Sequence, residues 1–336
     1  MNQRLDAKII SILDIAKDLL SIPGISGHED TVGDYFIKQV GGYGTIIRDT
    51  IGNCLLKVDR VHNGPTILVT AHMDTIGFVV REIRDEKNAE LLPIGINQLD
   101  QYHSTQAIAI GERKATKGLI TTKNGSTPKF STKRKEPTLY EAAVDAGDQV
   151  VVYNPMSLEL NSEAKFISGS WLDNRMGLSV LINLIKEIPS DLQADVLLLS
   201  SVREEIGARG VEMILRKYSP DLAIVIDATW PQGPVRMGGG PVLTVWDPCV
   251  IVRPKDRRFI TELASAKSIP LQKEVVEKGS SDAGPLARAG IPTFCIMYPV
   301  MDLHSPEERL SLQDIAWNLI FVESLINALS SCYWTS

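Results

Sequence analysis

Histidine is scarce in this chain: five among 336 residues, at His28, His62, His72, His103 and His304. Any imidazole chemistry must be drawn from that short set. Cysteine is scarcer still, with Cys54, Cys249, Cys295 and Cys332 scattered and no CxxC pair. That spacing excludes a thiolate zinc finger and a disulfide framework, and reads as reduced, mostly buried thiols of a cytosolic protein. Aromatic residues reach only 6%, with no cluster suited to stacking sugar rings. Basic charge is not in excess, since 35 Lys and Arg stand against 41 Asp and Glu for a formal charge of −6. A nucleic-acid binder needs a basic face, so that class is excluded. Long apolar runs are missing too. The segment Met1–Leu20 carries Arg4, Asp6, Lys8, Asp14, Lys17 and Asp18, so it has no signal-peptide core. Nothing approaches the ~20 apolar residues that cross a bilayer. The expectation is a cytoplasmic protein with neither membrane nor nucleic acid as partner.

What is present is ample apolar material, 44% of the chain, enough for about two domains of ~150 residues. Leu5–Leu20 repeats apolar residues at helical spacing until Pro23 and Gly24, and Pro65–Ala71 (PTILVTA) reads as a strand buried on both faces. From Phe78 to about Phe166 the signals change to short strand-like pieces (FVVREI, AIAIGE, GLITT, DQVVVY) with turn-rich connections. The polar, locally basic stretch Thr121–Pro137 reads as a solvated loop. After Ser170, helices alternate with buried strands: a helix over 178–188, strands over 195–202 and 222–226, a helix over 256–268, a strand over 292–297 and a terminal helix over 311–329. This predicts an α/β fold: a mixed, mostly parallel sheet with helices on both faces. Because PTILVTA precedes the β-rich block, residues 1–76 and 167–336 form one discontinuous domain, and 77–166 an inserted small β-rich domain.

Open α/β sheets bind ligands at the carboxyl ends of their strands. Those ends carry His72 and Asp74, Glu204 and Glu205, Asp227, and His304 farther along; Asp173 stands just before a helix. Singly, each residue reads as a cap or a turn acid. Jointly, ionised carboxylates crowded at buried strand ends repel one another and need cations, which local Lys and Arg do not supply. Imidazole and carboxylate donors suit zinc, with cobalt or manganese as alternatives. Two divalent ions would balance three carboxylates and a bridging hydroxide, leaving Glu204 over as a base beside them. Gly238-Gly239-Gly240 reads as a turn, because no lysine or helix start follows it.

Six blocks stand in one order: Ala71-His72-Met73-Asp74, Trp171-Leu172-Asp173-Asn174-Arg175, Glu204-Glu205-Ile206-Gly207-Ala208-Arg209-Gly210, Asp227-Ala228-Thr229, Ser281-Asp282-Ala283-Gly284 and His304-Ser305-Pro306. In this the chain resembles the M42 family of metallo-aminopeptidases, which includes glutamyl and tetrahedral aminopeptidases. The resemblance implies that Asp173 bridges two divalent ions, that Glu205 and His304 complete one site, and that His72 and Asp227 complete the other. It implies Glu204 as general base and later acid, hydrolysing N-terminal residues from peptides through the bridging hydroxide. Asp74 would hold the His72 ring in its ligating tautomer, and Ser281, Asp282 and Gly284 would contact substrate. It further implies that the inserted block mediates dimerisation, within a dimer or a dodecamer built of dimers.

Two positions depart from the family pattern. Thr75 replaces a usual Glu, and Val300-Met301-Asp302-Leu303 precedes His304 where Arg-Tyr is common. Neither is a proposed ligand; the second bears on specificity. His103 reads as a surface histidine, with approach to a neighbouring subunit's site as the other reading. A deacylase acting on small N-acyl compounds through the same residues is the alternative activity. Glycoside hydrolysis needs two carboxylates straddling the bond about 5–9.5 Å apart, which neighbouring Glu204 and Glu205 cannot do. A non-catalytic scaffold would have lost ligands, and none is lost.

Overall fold

Four apolar segments, each buried on both faces, form the parallel centre of the molecule. In the computed structural model, which describes residues 2–60, 64–96, 98–122, 127–133, 135–160 and 165–331, they lie side by side in the order Asp195–Ser201, Thr66–His72, Leu222–Thr229, Thr293–Met301. His62, Lys123, Arg134 and Cys332 fall outside the described residues. The strands Thr45–Arg48 and Cys54–Val58 extend one side of the sheet antiparallel, and Glu308–Ser311, Lys165–Gly169 and Ser157–Leu160 extend the other. Val242–Trp246 and Gln272–Val275 branch from Thr293–Met301. The helices Asn2–Leu19, Leu172–Leu184 and Leu312–Ser331 pack on one another, and the second and third of them on the central strands. Each fully buried Leu, Ile or Val contributes roughly 1.5–3 kcal/mol, and that burial offsets the cost of holding charged groups at the strand ends.

The second unit is a closed antiparallel barrel of Gly77–Ile83, Asn88–Ile94, Lys129–Thr132, Ala115–Thr121, Thr105–Ile110 and Gln149–Val152. It has its own core, including Phe78, Tyr102, Ile120, Phe130 and Val150. Two details differ from the sequence expectation. Lys129–Thr132, read as loop, is a barrel strand because Phe130 alone turns inward while Lys129 faces water. Ser157–Leu160 and Lys165–Gly169 pair with the large sheet, so barrel strands end at Val152.

Gly238–Gly240 is a turn, as expected, but it holds an acid. The N–H groups of Gly238 and Gly240 both donate to the carboxylate of Asp314 at the start of the terminal helix, at 2.7 and 2.6 Å. Gly240 has φ +90, and a Cβ there would meet the Pro270 carbonyl at 2.0 Å, so no other residue fits. Among the described residues Cys54, Cys249 and Cys295 are free thiols, and no helix is long and apolar enough to cross a membrane.

Candidate metal centre

The register of the parallel strands brings the site together. Ser201 pairs with His72, so Glu204 and Glu205 come off their strand beside it. Asp227 lies in the next strand over, and His304 follows the last one. Asp173 enters from the start of the helix Leu172–Leu184, where its φ/ψ of −81°/117° is not helical. That turn is pinned: Asn174 donates to the Ile226 carbonyl at 2.9 Å, and the Tyr298 hydroxyl lies 2.8 Å from the Asn174 side-chain oxygen.

Three donor groups result, each with its atoms within 4.8 Å of one another: His72–Asp173–Asp227, Asp173–Glu205–His304 and His72–Glu204–Glu205. Asp173 is shared by the first two. Its Oδ1 lies 3.2 Å from His72 Nε2 and its Oδ2 lies 3.2 Å from His304 Nε2. His72 Nε2 is also 3.4 Å from Asp227 Oδ1 and 3.9 Å from Glu204 Oε2. Glu205 Oε2 stands 3.6 Å from His304 Nε2.

The donor set fits divalent cations. His72 Nδ1 is 3.1 Å from the Asp74 carbonyl, which can only accept, so Nδ1 carries the proton in that bond. Nε2 of the neutral ring then turns a lone pair on Asp173 and Asp227, an arrangement that needs a cation or a proton between them. Asp173 Oδ1 and Glu205 Oε1 are buried and have no hydrogen-bond partner among the described residues. The charges of the protein alone reflect the same need. Burial would lower His72, but Asp227, Asp173 and Asp74 hold it well above the ordinary imidazole range. Burial also works against His304, yet Glu205 and Asp173 raise it to about 10. Burial, then Asp227, Glu205 and Asp282, push Glu204 well up. Burial and Asp173 raise Glu205 to about 8. Asp173 goes the other way: burial would raise it, but the imidazoles of His304 and His72 beside it keep it ionised.

Asp74 does more than face the His72 ring. It is wholly buried; Oδ1 accepts the Glu204 N–H at 2.9 Å, and Oδ2 accepts the Glu205 N–H at 3.1 Å and the Ser26 hydroxyl at 2.6 Å. Ser281, Asp282 and Gly284 do not line the cleft: all three are buried beneath its floor, where Asp282 Oδ2 accepts from Thr70 at 2.9 Å and from Ser201. The cleft, about 740 Å³, takes Gly279 and Ser280 from that segment instead. Further lining residues absent from the sequence expectation are Gln98, Trp230 and Lys278; Leu303, from the stretch expected to bear on specificity, also lines the cleft. Trp230 had a signal, since it directly follows Asp227-Ala228-Thr229 at a strand end. Leu303 belongs to the stretch that departs from the family pattern. His28 and His103 stand away from the centre, bound to the Gly147 carbonyl and the Thr122 N–H.

A cleft over the carboxyl edge of a parallel sheet, with imidazoles and carboxylates converging in it, defines an α/β protein equipped to hold metal ions. The chain belongs to the M42 glutamyl aminopeptidase family, whose model matches residues 52–319. That places it among exopeptidases, in a family that is metal-dependent. It is 26% identical to the glutamyl aminopeptidase of Lactococcus lactis subsp. cremoris, over 96% of this chain and 98% of that one. It is also 26% identical to the lysyl aminopeptidase of Pyrococcus furiosus, over 96% and 99%. Among solved structures, the TET1 peptidase of Pyrococcus horikoshii, described as assembling into a tetrahedron or a large octahedral shell, superposes with a TM-score of 0.82 at 25% identity, covering 94% of this chain and 98% of that one.

Proposed function

We propose that the protein is an aminopeptidase that holds two divalent ions and removes N-terminal residues from peptides. The observation that carries this reading is Asp173, whose two oxygens face two different donor groups. His72, Asp173 and Asp227 would hold one ion, and Asp173, Glu205 and His304 the other, with zinc first by donor type and cobalt or manganese as alternatives. Bound there, the ions supply Lewis acidity toward a carbonyl and acidify water. Glu204 is the base: its carboxylate reaches the centre at 3.9 Å from His72 Nε2 and is not needed by either group. It takes the proton of the attacking water and returns it to the leaving amine. Its burial raises its proton affinity, which suits a group that must hold the proton between those two events.

The large sheet forms the catalytic domain and the barrel an inserted domain that mediates pairing of chains, in a dimer or a dodecamer of dimers; the TET relative supports such assembly. The test is a panel of aminoacyl anilides and N-acetylated amino acids with metal-stripped and reconstituted protein. Anilide turnover restored by metal is expected. Turnover of the N-acetyl compounds alone would replace the aminopeptidase with a deacylase.

A further inference from the structure

We infer that Tyr102 and Glu308 are positioning residues for His304, with Tyr102 acting from the barrel; this rests on reading His304 as a metal ligand. The two imidazoles of the centre are held differently. The His72 ring is held through Nδ1 by Asp74. His304 Nδ1, by contrast, is buried with no hydrogen-bond partner among the described residues. Its ring thus lacks the outer partner by which ligating histidines are ordinarily oriented.

What holds His304 is its backbone. The His304 N–H donates to Glu308 Oε1 at 2.9 Å, and the His304 carbonyl accepts from the Tyr102 hydroxyl at 3.0 Å. The residue sits at φ +62, a left-handed conformation uncommon outside glycine, so its neighbours must enforce it. The other oxygen of Glu308, Oε2, accepts the N–H of Asp173 at 3.1 Å. One buried carboxylate therefore spans the backbones of two ligands and sets their separation.

Tyr102 is a rigid arm. It is 2% exposed, and its ring stands edge-on to Phe78 with centroids 5.4 Å apart, inside the barrel core. Gly95 of the same barrel segment also touches the centre: a Cβ there would lie 2.8 Å from Glu205 Oε2. Both contacts fall on the Asp173–Glu205–His304 group. Removing the Tyr102 hydroxyl should accordingly weaken one ion and spare the other. Glu308→Gln leaves one acceptor for two N–H groups and should weaken both, because Asp173 is shared.

The experiment is calorimetric titration of the metal-stripped full chain with Zn²⁺, repeated with Co²⁺ to follow its visible spectrum, for wild type, Tyr102→Phe and Glu308→Gln, with the exposed barrel residue Tyr140→Phe as control. Expected for Tyr102→Phe is one ion at wild-type affinity and one about ten- to a hundredfold weaker, with an altered cobalt spectrum for the weaker ion only. A merely structural tyrosine would lower the melting temperature and leave both affinities alone; unchanged affinities, or equal loss of both ions, overturn the proposal. A wild-type chain that binds a single ion refutes the two-ion reading instead. The positioning role then stands if Tyr102→Phe weakens that ion and falls if it does not.

Discussion

Asp74→Asn is the substitution with the most to say about how the centre is built. The carboxylate serves three donors, the N–H groups of Glu204 and Glu205 and the Ser26 hydroxyl, and faces the His72 ring, whose Nδ1 lies 3.5 Å from Oδ1. Burial works to raise its pKa, but His72, Ser26 and Glu204 hold it below the ordinary carboxylate range, so it is ionised. Asparagine offers one oxygen. In either orientation its NH₂ faces the N–H of Glu204 or of Glu205. An unsatisfied buried N–H costs about 1–3 kcal/mol, and losing the charged acceptor removes about 1 kcal/mol more. The expected loss of stability is thus about 2–4 kcal/mol. The displaced group belongs to the peptide that carries the proposed base and a proposed ligand, and a shift of about 1 Å there costs on the order of a hundredfold in rate. Urea denaturation of the metal-loaded protein measures the first effect, and kcat and KM on an aminoacyl anilide measure the second. Asp74→Asn with stability within about 0.5 kcal/mol of wild type and undiminished kcat would refute the reasoning; so would a change confined to KM.

Glu204→Gln should keep the wild-type metal content while kcat falls by about 10²–10⁴-fold, checked by elemental analysis alongside rates; retained activity would remove Glu204 from its role. Lys278 is the one basic side chain among the described residues lining the cleft, so Lys278→Glu should lower kcat/KM for glutamyl substrates relative to lysyl ones by about tenfold or more. Burial pushes the Asp314 carboxyl up to about 7, against an ordinary value of about 3.9. Its folded form binds the extra proton, so the contribution of this group to stability is fully present below about pH 4 and declines as pH rises through 7, by at most about 4 kcal/mol. Asp314→Asn should flatten that decline in denaturation curves taken from pH 5 to 8, and an unchanged slope would count against it.

Much of the fold could be read from the chain because the buried strands announce themselves as unbroken apolar runs, and each leads, near its end or a few residues beyond, to a polar residue that lines the cleft. His72, Glu204, Glu205 and Asp227 were legible for that reason. The barrel was legible as a change from helical to alternating pattern. What stayed hidden depends on partners distant in sequence. Tyr102 meets the backbone of a residue 202 positions away, and no local pattern distinguishes it from any other buried tyrosine. Lys129–Thr132 buries one side chain fully among four, too weak an alternation to outweigh the charges around it. Ser281, Asp282 and Gly284 show that motif order does not reveal depth: the short helix Ala283–Arg288 carries the segment under the floor rather than along it.

Burial of an acid is not what sets the proposed ligands apart in this protein. Asp74, Glu308 and Asp314 are as buried as Asp173, yet each has both oxygens within hydrogen-bond reach of N–H or hydroxyl donors. Glu274 is likewise occupied by the hydroxyls of Thr229 and Thr244. Asp173 Oδ1 and Glu205 Oε1 have no such partner among the described residues. A buried carboxylate oxygen without a donor is costly unless something positive meets it. The saturated acids hold backbone positions, whereas the unsaturated oxygens of Asp173 and Glu205 are where a proposed ion would supply the missing charge; Asp227, whose Oδ1 accepts the Ala228 N–H at 2.8 Å, is the exception among the proposed ligands. Asp282 tests the distinction, because Oδ2 takes two hydroxyls while Oδ1 is unpartnered. It nevertheless belongs to none of the three donor groups. At Asp173 and Glu205 an imidazole also faces the carboxylate, at the ends of the parallel strands, and the proposed reading rests on the two features together.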